Sequence, residues 1–186
     1  PYLDTLMGQN SVTFTNAYST CPTCVPARAS LLSGMSPQKN GRVGYQDGVP
    51  WEFTETLAEV FRDNGFQTAV IGKMHSYPIR KHFGFEIMKL HDGYLEYHRN
   101  SEIPYYEHQR VSDDYVSFLI NKYGTSADVT TNGIEGNSWI TSPWNYDEND
   151  HPTNWVVNET LEMLTKRDRT RPFFVMPSFV RPHPPF

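Results

Sequence analysis

Two short apolar segments constrain the fold of this chain more than any other feature. Residues 67–71 read QTAVI and residues 172–179 read PFFVMPSF, and turn-forming residues flank both. Strands that are apolar at successive positions are buried on both faces, which is typical of parallel sheets covered by helices. Each segment follows a predicted helix, one between Thr54 and Gly65 and one over residues 153–166. The repeated order of helix then strand indicates an α/β fold.

Three further elements are predicted outside these two helix–strand units. Residues 11–18 (SVTFTNAY) are rich in β-branched and aromatic residues and predict a strand. A helix should follow, with Pro26 in its first turn and Gly34 at its end. Residues 112–123 predict another helix, but the rest of residues 91–151 is polar, aromatic and rich in turns. We therefore expect residues 91–151 to be a variable insertion that shapes specificity.

Composition limits the classes of function. The chain has 186 residues, enough for one sizeable domain, with 16 Lys+Arg against 21 Asp+Glu and a net charge of −5. No basic stripe is visible, which argues against a nucleic-acid partner. No apolar run is long enough to span a membrane. A local cluster of positive charge could still bind an anionic substrate.

Reactive and cationic side chains directly follow the three predicted strands. In open α/β sheets, ligands bind outside the carboxyl ends of the strands, so neighbouring parallel strands would bring these side chains into one crevice. Such a crevice would offer a nucleophile at a helix start, surrounded by cations and proton donors, as transfer of a sulfuryl or phosphoryl group requires. The candidate catalytic residues are Cys24, Arg28, Lys73, His75 and His183.

Other interpretations stay open at this point. Each candidate could be an ordinary structural residue, since a cysteine after a strand is commonly a small buried hydrophobe. Cys21 and Cys24 are the only cysteines, and their spacing after a strand and before a helix also suits a thioredoxin-like dithiol. A zinc site is less well supported, because it would need a second pair of ligands and the histidines are scattered.

Several motifs resemble the formylglycine-dependent sulfatases. Residues 24–28 read CVPAR, close to that family's Cys-x-Pro-Ser-Arg signature, and Ala27 stands where serine is common. The sequence continues ASLLSG and resembles the signature's usual context. Other similar stretches follow in the family's order: residues 1–6, 12–18, 36–41, 56–66, 72–75 (GKMH) and 179–185 (FVRPHPP). The resemblance implies an alkaline phosphatase-like three-layer sandwich with a mainly parallel sheet between helices.

The resemblance also implies a mechanism for cleaving sulfate esters. Cys24 would be oxidised to formylglycine by a maturation enzyme, and the hydrated aldehyde would attack sulfur. Arg28 and Lys73 would hold the nucleophile and the sulfate oxygens. His75 would help to regenerate the aldehyde, and His183 would protonate the leaving oxygen. A divalent cation, usually Ca²⁺, would bind the modified Cys24 and polarise the sulfate.

The resemblance further implies that residues 1–186 are the N-terminal part of a catalytic domain, with the carboxylate metal ligands outside this chain. The substrate would be a small-molecule or carbohydrate sulfate ester, and aromatic residues of the insertion could stack on it: Tyr94, Tyr97, Trp139 and Trp144. Periplasmic, secreted or lysosomal location is favoured over the cytoplasm. The alternatives are a phosphonate monoester or phosphodiester hydrolase of the same superfamily, and a non-enzymatic binding module with unmodified Cys24.

Overall fold

Helices and three parallel strands make up the part of the chain that the computed structural model describes, namely residues 2–8, 11–46, 48–92, 104–129 and 139–184. The strands are β1 (Gln67–Gly72), β2 (Ile87–Leu90) and β3 (Phe173–Ser178). The helices are α1 (Tyr2–Met7), α2 (Cys24–Ser33), α3 (Pro37–Asn40), α4 (Leu57–Asp63), α5 (Tyr105–Ser112), α6 (Asp114–Tyr123) and α7 (Pro152–Lys166), with a short 3₁₀ helix at Glu148–Asp150.

The central strand β1 pairs in parallel with β2 on one side and with β3 on the other. Ala69 lies opposite Ile87 of β2 and Val175 of β3. Gly72, the last residue of β1, lies opposite Leu90 and Ser178, the last residues of the two neighbours. All three strands therefore end at the same edge of the sheet, as the apolar runs predicted for β1 and β3.

Each face of the sheet carries its own hydrophobic core. On one face, Val70 belongs to a cluster with residues of α2 and α4, including Val25 and Ala58. On the other face, Ala69 and Ile71 pack with residues of α6 and α7. Because successive side chains of a strand point to opposite faces, a run of apolar residues in β1 supplies both cores. The arrangement is helices, sheet, helices, which confirms the predicted three-layer α/β architecture.

Helix α4 begins two residues later than the sequence pattern predicted. Its N-cap is Thr56, not Thr54, and Thr56 and Glu59 form a reciprocal capping box. The Thr56 hydroxyl also donates to the carbonyl oxygen of Phe83 at 2.6 Å, so it is buried where Thr54 is exposed. A capping box and a tertiary hydrogen bond together decide the start of the helix.

The predicted strand at residues 11–18 is wrong. Residues 11–14 have no regular structure, a turn follows, and Val12, Phe14 and Tyr18 are exposed. A strand needs a hydrogen-bonded neighbour, and among the described residues this segment pairs with neither edge of the sheet. Its β-branched and aromatic residues permit an extended conformation but do not create a partner for it.

Parts of residues 91–151 pack closely on the sheet. The helix predicted at residues 112–123 is confirmed as α6, capped by the Asp113 carboxylate, which accepts from the Val116 amide at 2.8 Å. Residues 93–103 and 130–138, and with them Tyr94 and Tyr97, lie outside the described residues. The role of the segment as a variable insertion stays a prediction.

Gly72 is the last residue of β1, and because it has no Cβ the end of β1 can lie close to β3. Its conformation also allows the chain to turn into the next segment. Its φ is 102°, and a Cβ added there would lie 2.0 Å from the Ser178 carbonyl oxygen. Gly72→Ala should therefore lower the free energy of unfolding by at least about 3 kcal/mol, measured by chemical denaturation.

Gly65→Ala is the matched control, since Gly65 has φ 85° but open space around its Cα. It should cost about 1–2 kcal/mol, the strain of a left-handed residue alone. Equal losses in the two variants would show that the contact with β3 contributes nothing.

Candidate active site

The candidate nucleophile stands at the first residue of α2. Thr23 is the N-cap, with extended backbone, and Cys24 is the first helical residue. Both Cys21 and Cys24 are free thiols of intermediate exposure, so they do not form the disulfide of the dithiol interpretation. Unpaired amide groups in the first turn of a helix favour negative charge, which suits a site for an anionic group beside residue 24.

Arg28 ties this helix to the ends of two strands. Its Nη1 donates to the carbonyl oxygen of Lys73 at 2.7 Å and to the hydroxyl of Ser178 at 2.9 Å. Lys73 directly follows β1, and Ser178 is the last residue of β3. Arg28 lies one helical turn beyond Cys24, so these two hydrogen bonds fix the start of α2 at the carboxyl edge of the sheet.

Lys73 is a buried cation, with only 3% of its surface exposed. Its amide continues the ladder by donating to the Ser178 carbonyl oxygen at 2.8 Å. Burial lowers the pKa of the Lys73 ammonium group below its ordinary value. The negative charge of Asp92 opposes this shift, and the positive charges of Arg28 and Arg181 add to it. Lys73 thus lies within electrostatic range of Cys24 at the start of α2.

His75 follows Lys73 in the same turn and is buried. Its backbone has a φ of 57°, in the left-handed region. The carboxylate of Asp92 accepts the amides of both Met74 and His75, at 2.9 and 2.5 Å. The imidazole lies edge-on to the ring of Tyr45, with centroids 6.0 Å apart. The turn that carries Lys73 and His75 is thus held by a carboxylate two residues beyond β2.

His183 lies on the segment that follows β3. Its Nδ1 donates to the Pro184 carbonyl oxygen at 2.8 Å, which leaves Nε2 as the nitrogen that titrates. Arg181 donates to the carbonyl oxygen of His183 at 2.5 Å and so supports the loop. Burial lowers the pKa of His183, and the positive charges of Lys73 and Arg181 lower it further. His183 therefore lies within electrostatic range of Lys73, at the same edge of the sheet.

The five candidates from the sequence thus gather around the carboxyl ends of β1 and β3. Sequence reasoning missed Ser178, which accepts from Arg28, and Asp92, which holds the His75 turn. The rule that reactive groups follow strands would have found Asp92 if the four residues of β2 had been recognised as a strand. A strand that short gives almost no periodic signal.

The described residues do not form a calcium site by themselves. Among them, no group of three or more His, Cys, Asp or Glu side chains could hold a metal ion. Calcium takes six to eight oxygen ligands, so this part of the chain does not fit the ion alone. The absence of such a group also leaves the zinc interpretation without support in the described residues.

The two described aromatic residues that were predicted to stack on a substrate, Trp139 and Trp144, differ in exposure and packing. Trp139 is exposed over 90% of its surface. Trp144 packs against the core formed with α6 and α7 and contacts Tyr146 and His151, and its indole nitrogen donates to the Asp147 carbonyl oxygen at 3.1 Å.

Comparison with known proteins identifies the family. A family model described as Sulfatase matches residues 1–186. The chain belongs to the sulfatase family. An arylsulfatase of Clostridium perfringens is 47% identical over 185 residues, covering 100% of this chain and 38% of the relative. A choline-sulfatase of Rhizobium meliloti is 27% identical over 97% of this chain and 33% of the relative. This sulfatase chain therefore spans about a third of the length of these curated relatives.

Two solved structures share the fold of this sulfatase chain. The phosphonate monoester hydrolase of Agrobacterium radiobacter has a TM-score of 0.59 at 21% identity, over 90% of this chain and 33% of that one. A protein solved with its substrate D-glucosamine-2-N,6-O-disulfate has a TM-score of 0.51 at 19% identity, over 91% of this chain and 27% of that one. These likenesses confirm the predicted alkaline phosphatase-like fold class.

Proposed function

We propose that the protein containing this chain hydrolyses sulfate esters with a nucleophile derived from Cys24. The observation that carries the proposal is the pair of hydrogen bonds from Arg28, which join the start of α2 to the ends of β1 and β3. We infer from this link that Cys24 and the buried cation Lys73 belong to one site, and the electrostatic interaction between them supports it. Membership of the sulfatase family and the 47% identity to an arylsulfatase support the same activity.

Cys24 suits conversion to formylglycine, because it heads a helix, is partly exposed, and stands in the CVPAR motif. A hydrated formylglycine supplies one hydroxyl that attacks sulfur and a second that later releases the sulfate. The enzyme that carries out this conversion is the maturation partner that we propose. Cys21, outside the motif, has no part in the chemistry.

The cations of this chain would bind and stabilise the sulfate. Lys73 is a compact charge in a buried position, where electrostatic interactions are stronger than in water. Arg28 orients the Lys73 backbone and adds a second positive charge. Fixed cations of this kind stabilise the charge that develops on sulfate oxygens without rearranging during the reaction.

The two histidines would move protons at opposite ends of the reaction. His183 would donate a proton from Nε2 to the oxygen of the departing alcohol, and His75 would accept a proton from residue 24 as the sulfate leaves. The low pKa of His183 reflects burial and nearby cations. A bound sulfate ester would offset those cations and so raise the pKa of His183 when its proton is needed.

The substrate class that we propose is an aryl, small-molecule or carbohydrate sulfate ester, with residues 91–151 shaping the choice among them. The calcium ion that the family resemblance implies would need oxygen ligands from outside the described residues. Within the part of the chain that the structure describes, no helix is long and apolar enough to cross a membrane. We propose a periplasmic, secreted or lysosomal location by resemblance to the family.

Cys24→Ala should lower turnover of 4-nitrophenyl sulfate by roughly 10⁴-fold or more, because it removes the nucleophile. The measurement uses the intact protein from a host that matures sulfatases, with mass spectrometry of the peptide that contains residue 24. The peptide should carry the mass of the aldehyde. Cys21→Ala is the matched control and should keep wild-type activity. An unmodified Cys24 thiol in fully folded, inactive wild-type protein would favour a binding module instead.

A second candidate activity is hydrolysis of phosphonate monoesters or phosphodiesters, since the fold is shared with a phosphonate monoester hydrolase. Comparison of kcat/KM for 4-nitrophenyl sulfate and 4-nitrophenyl phenylphosphonate separates the two. We expect the sulfate to be the better substrate. A strong preference for the phosphonate would replace the sulfatase proposal.

The loss of kcat caused by His183→Gln should depend on the leaving group of the substrate. An alkyl or sugar sulfate needs its leaving oxygen protonated, so kcat should fall by about 10²- to 10⁴-fold. A nitrophenolate leaves without help, so 4-nitrophenyl sulfate should lose much less. Steady-state kinetics on both substrates provides the test, and each serves as the control for the other. Equal losses on both would contradict a general-acid role.

A further inference from the structure

We propose that Asp92 is a positioning residue of this site: its carboxylate holds the backbone turn that carries Lys73 and His75, and balances the positive charge of Lys73. The catalytic consequence rests on the proposed sulfatase function. The structural part of the proposal stands on hydrogen bonds and burial alone.

The sheet register brings Asp92 to this turn. Gly72 and Leu90 are opposite each other at the ends of β1 and β2. The ladder continues one step further, because the His91 amide donates to the Gly72 carbonyl oxygen at 3.0 Å. The next residue, Asp92, therefore lies beside the chain that leaves β1. No sequence spacing within one segment predicts this contact.

The carboxylate compensates for an unfavourable backbone conformation. His75 has φ 57°, which non-glycine residues seldom adopt. A single oxygen of Asp92, Oδ2, accepts the amides of Met74 and His75, at 2.9 and 2.5 Å. Two hydrogen bonds to one ionised oxygen are strong because they are charge-assisted. They keep the turn closed, and they fix the directions in which the side chains of Lys73 and His75 leave it.

The burial of Asp92 points to an electrostatic role as well. Asp92 is 2% exposed, and its second oxygen, Oδ1, has no hydrogen-bond partner among the described residues. Burial raises the pKa of Asp92 above its ordinary value, although the two amides and the charges of Arg28 and Lys73 act in the opposite direction. Burying a carboxylate with one oxygen that accepts no hydrogen bond costs free energy unless nearby cations stabilise its charge. Asp92 and Lys73 thus stabilise each other's charged forms.

Charged groups on three surrounding segments affect the pKa of Lys73. Cys24 and Arg28 act from α2, Asp92 from the end of β2, and Arg181 from the segment after β3. The negative charge of Asp92 raises the pKa of Lys73. When Cys24 becomes an uncharged aldehyde, Asp92 remains as the negative group that offsets burial. Loss of Asp92 should therefore deprotonate Lys73 at lower pH.

Two substitutions in the intact protein separate the charge from the hydrogen bonds. Asp92→Asn keeps an acceptor oxygen for the two amides and removes the charge, whereas Asp92→Ala removes both. Asp114→Asn is the matched control, because Asp114 likewise accepts a backbone amide at the end of β2, that of Leu90 at 2.7 Å. The readouts are kcat and KM for 4-nitrophenyl sulfate across pH, and amide hydrogen exchange at residues 74 and 75.

Asp92→Asn should lower kcat by about 10-fold or more, leave KM less affected, and move the alkaline limb of the kcat profile down by about one pH unit. Asp92→Ala should lower kcat by about 10²-fold and speed exchange at residues 74 and 75 by at least about 10-fold. Asp114→Asn should change none of these values.

The proposal would be overturned if both Asp92 variants kept the wild-type kcat and the wild-type pH profile. It would also be overturned if a variant were less stable than the wild type but had normal activity per folded molecule. An inactive wild-type protein would refute the proposed function instead. Hydrogen exchange still decides in that case: unchanged protection at residues 74 and 75 in Asp92→Ala overturns the positioning role, and lost protection supports it. If Asp92→Ala does not fold, exchange and titration of Asp92→Asn decide alone, and a wild-type alkaline limb overturns the proposal.

Discussion

The structure depends on one guanidinium group that joins three elements. Arg28 donates from α2 to a carbonyl oxygen just beyond β1 and to a hydroxyl at the end of β3. Both acceptors of these hydrogen bonds are uncharged oxygen atoms. The same two hydrogen bonds fix the helix that begins at Cys24 against the carboxyl edge of the sheet. The contacts that pack α2 on the sheet therefore also position the residues of the candidate site.

Burial explains why the site suits an anion. Lys73 is almost fully buried, and its neighbours Arg28 and Arg181 are cationic. Such a group is stable only when negative charge is nearby. Asp92 can supply part of that charge when it is ionised, and a sulfate ester would supply more when it binds. Burial and nearby cations lower the pKa of both Lys73 and His183, so binding of an anionic ligand should raise both pKa values toward their ordinary range.

The sequence predicts the parts of this molecule whose signals are local. The apolar runs of β1 and β3, the helix with Pro26 in its first turn, and the reactive residues after β1 and β3 follow from periodicity and order. The strand predicted at residues 11–18 was wrong, because strand pairing depends on a neighbour that the local pattern does not reveal. Asp92 was missed because its role arises from the register between β1 and β2.

The central claim is that residue 24, Lys73 and His183 form one binding site for a sulfate group. A crystal structure of the intact, matured protein with the product sulfate bound tests it most directly. We predict that the sulfate contacts residue 24 and the Lys73 ammonium group, with His183 Nε2 facing the position of the departing oxygen. A sulfate bound elsewhere on the molecule, with Lys73 and His183 turned away from residue 24, would contradict the account.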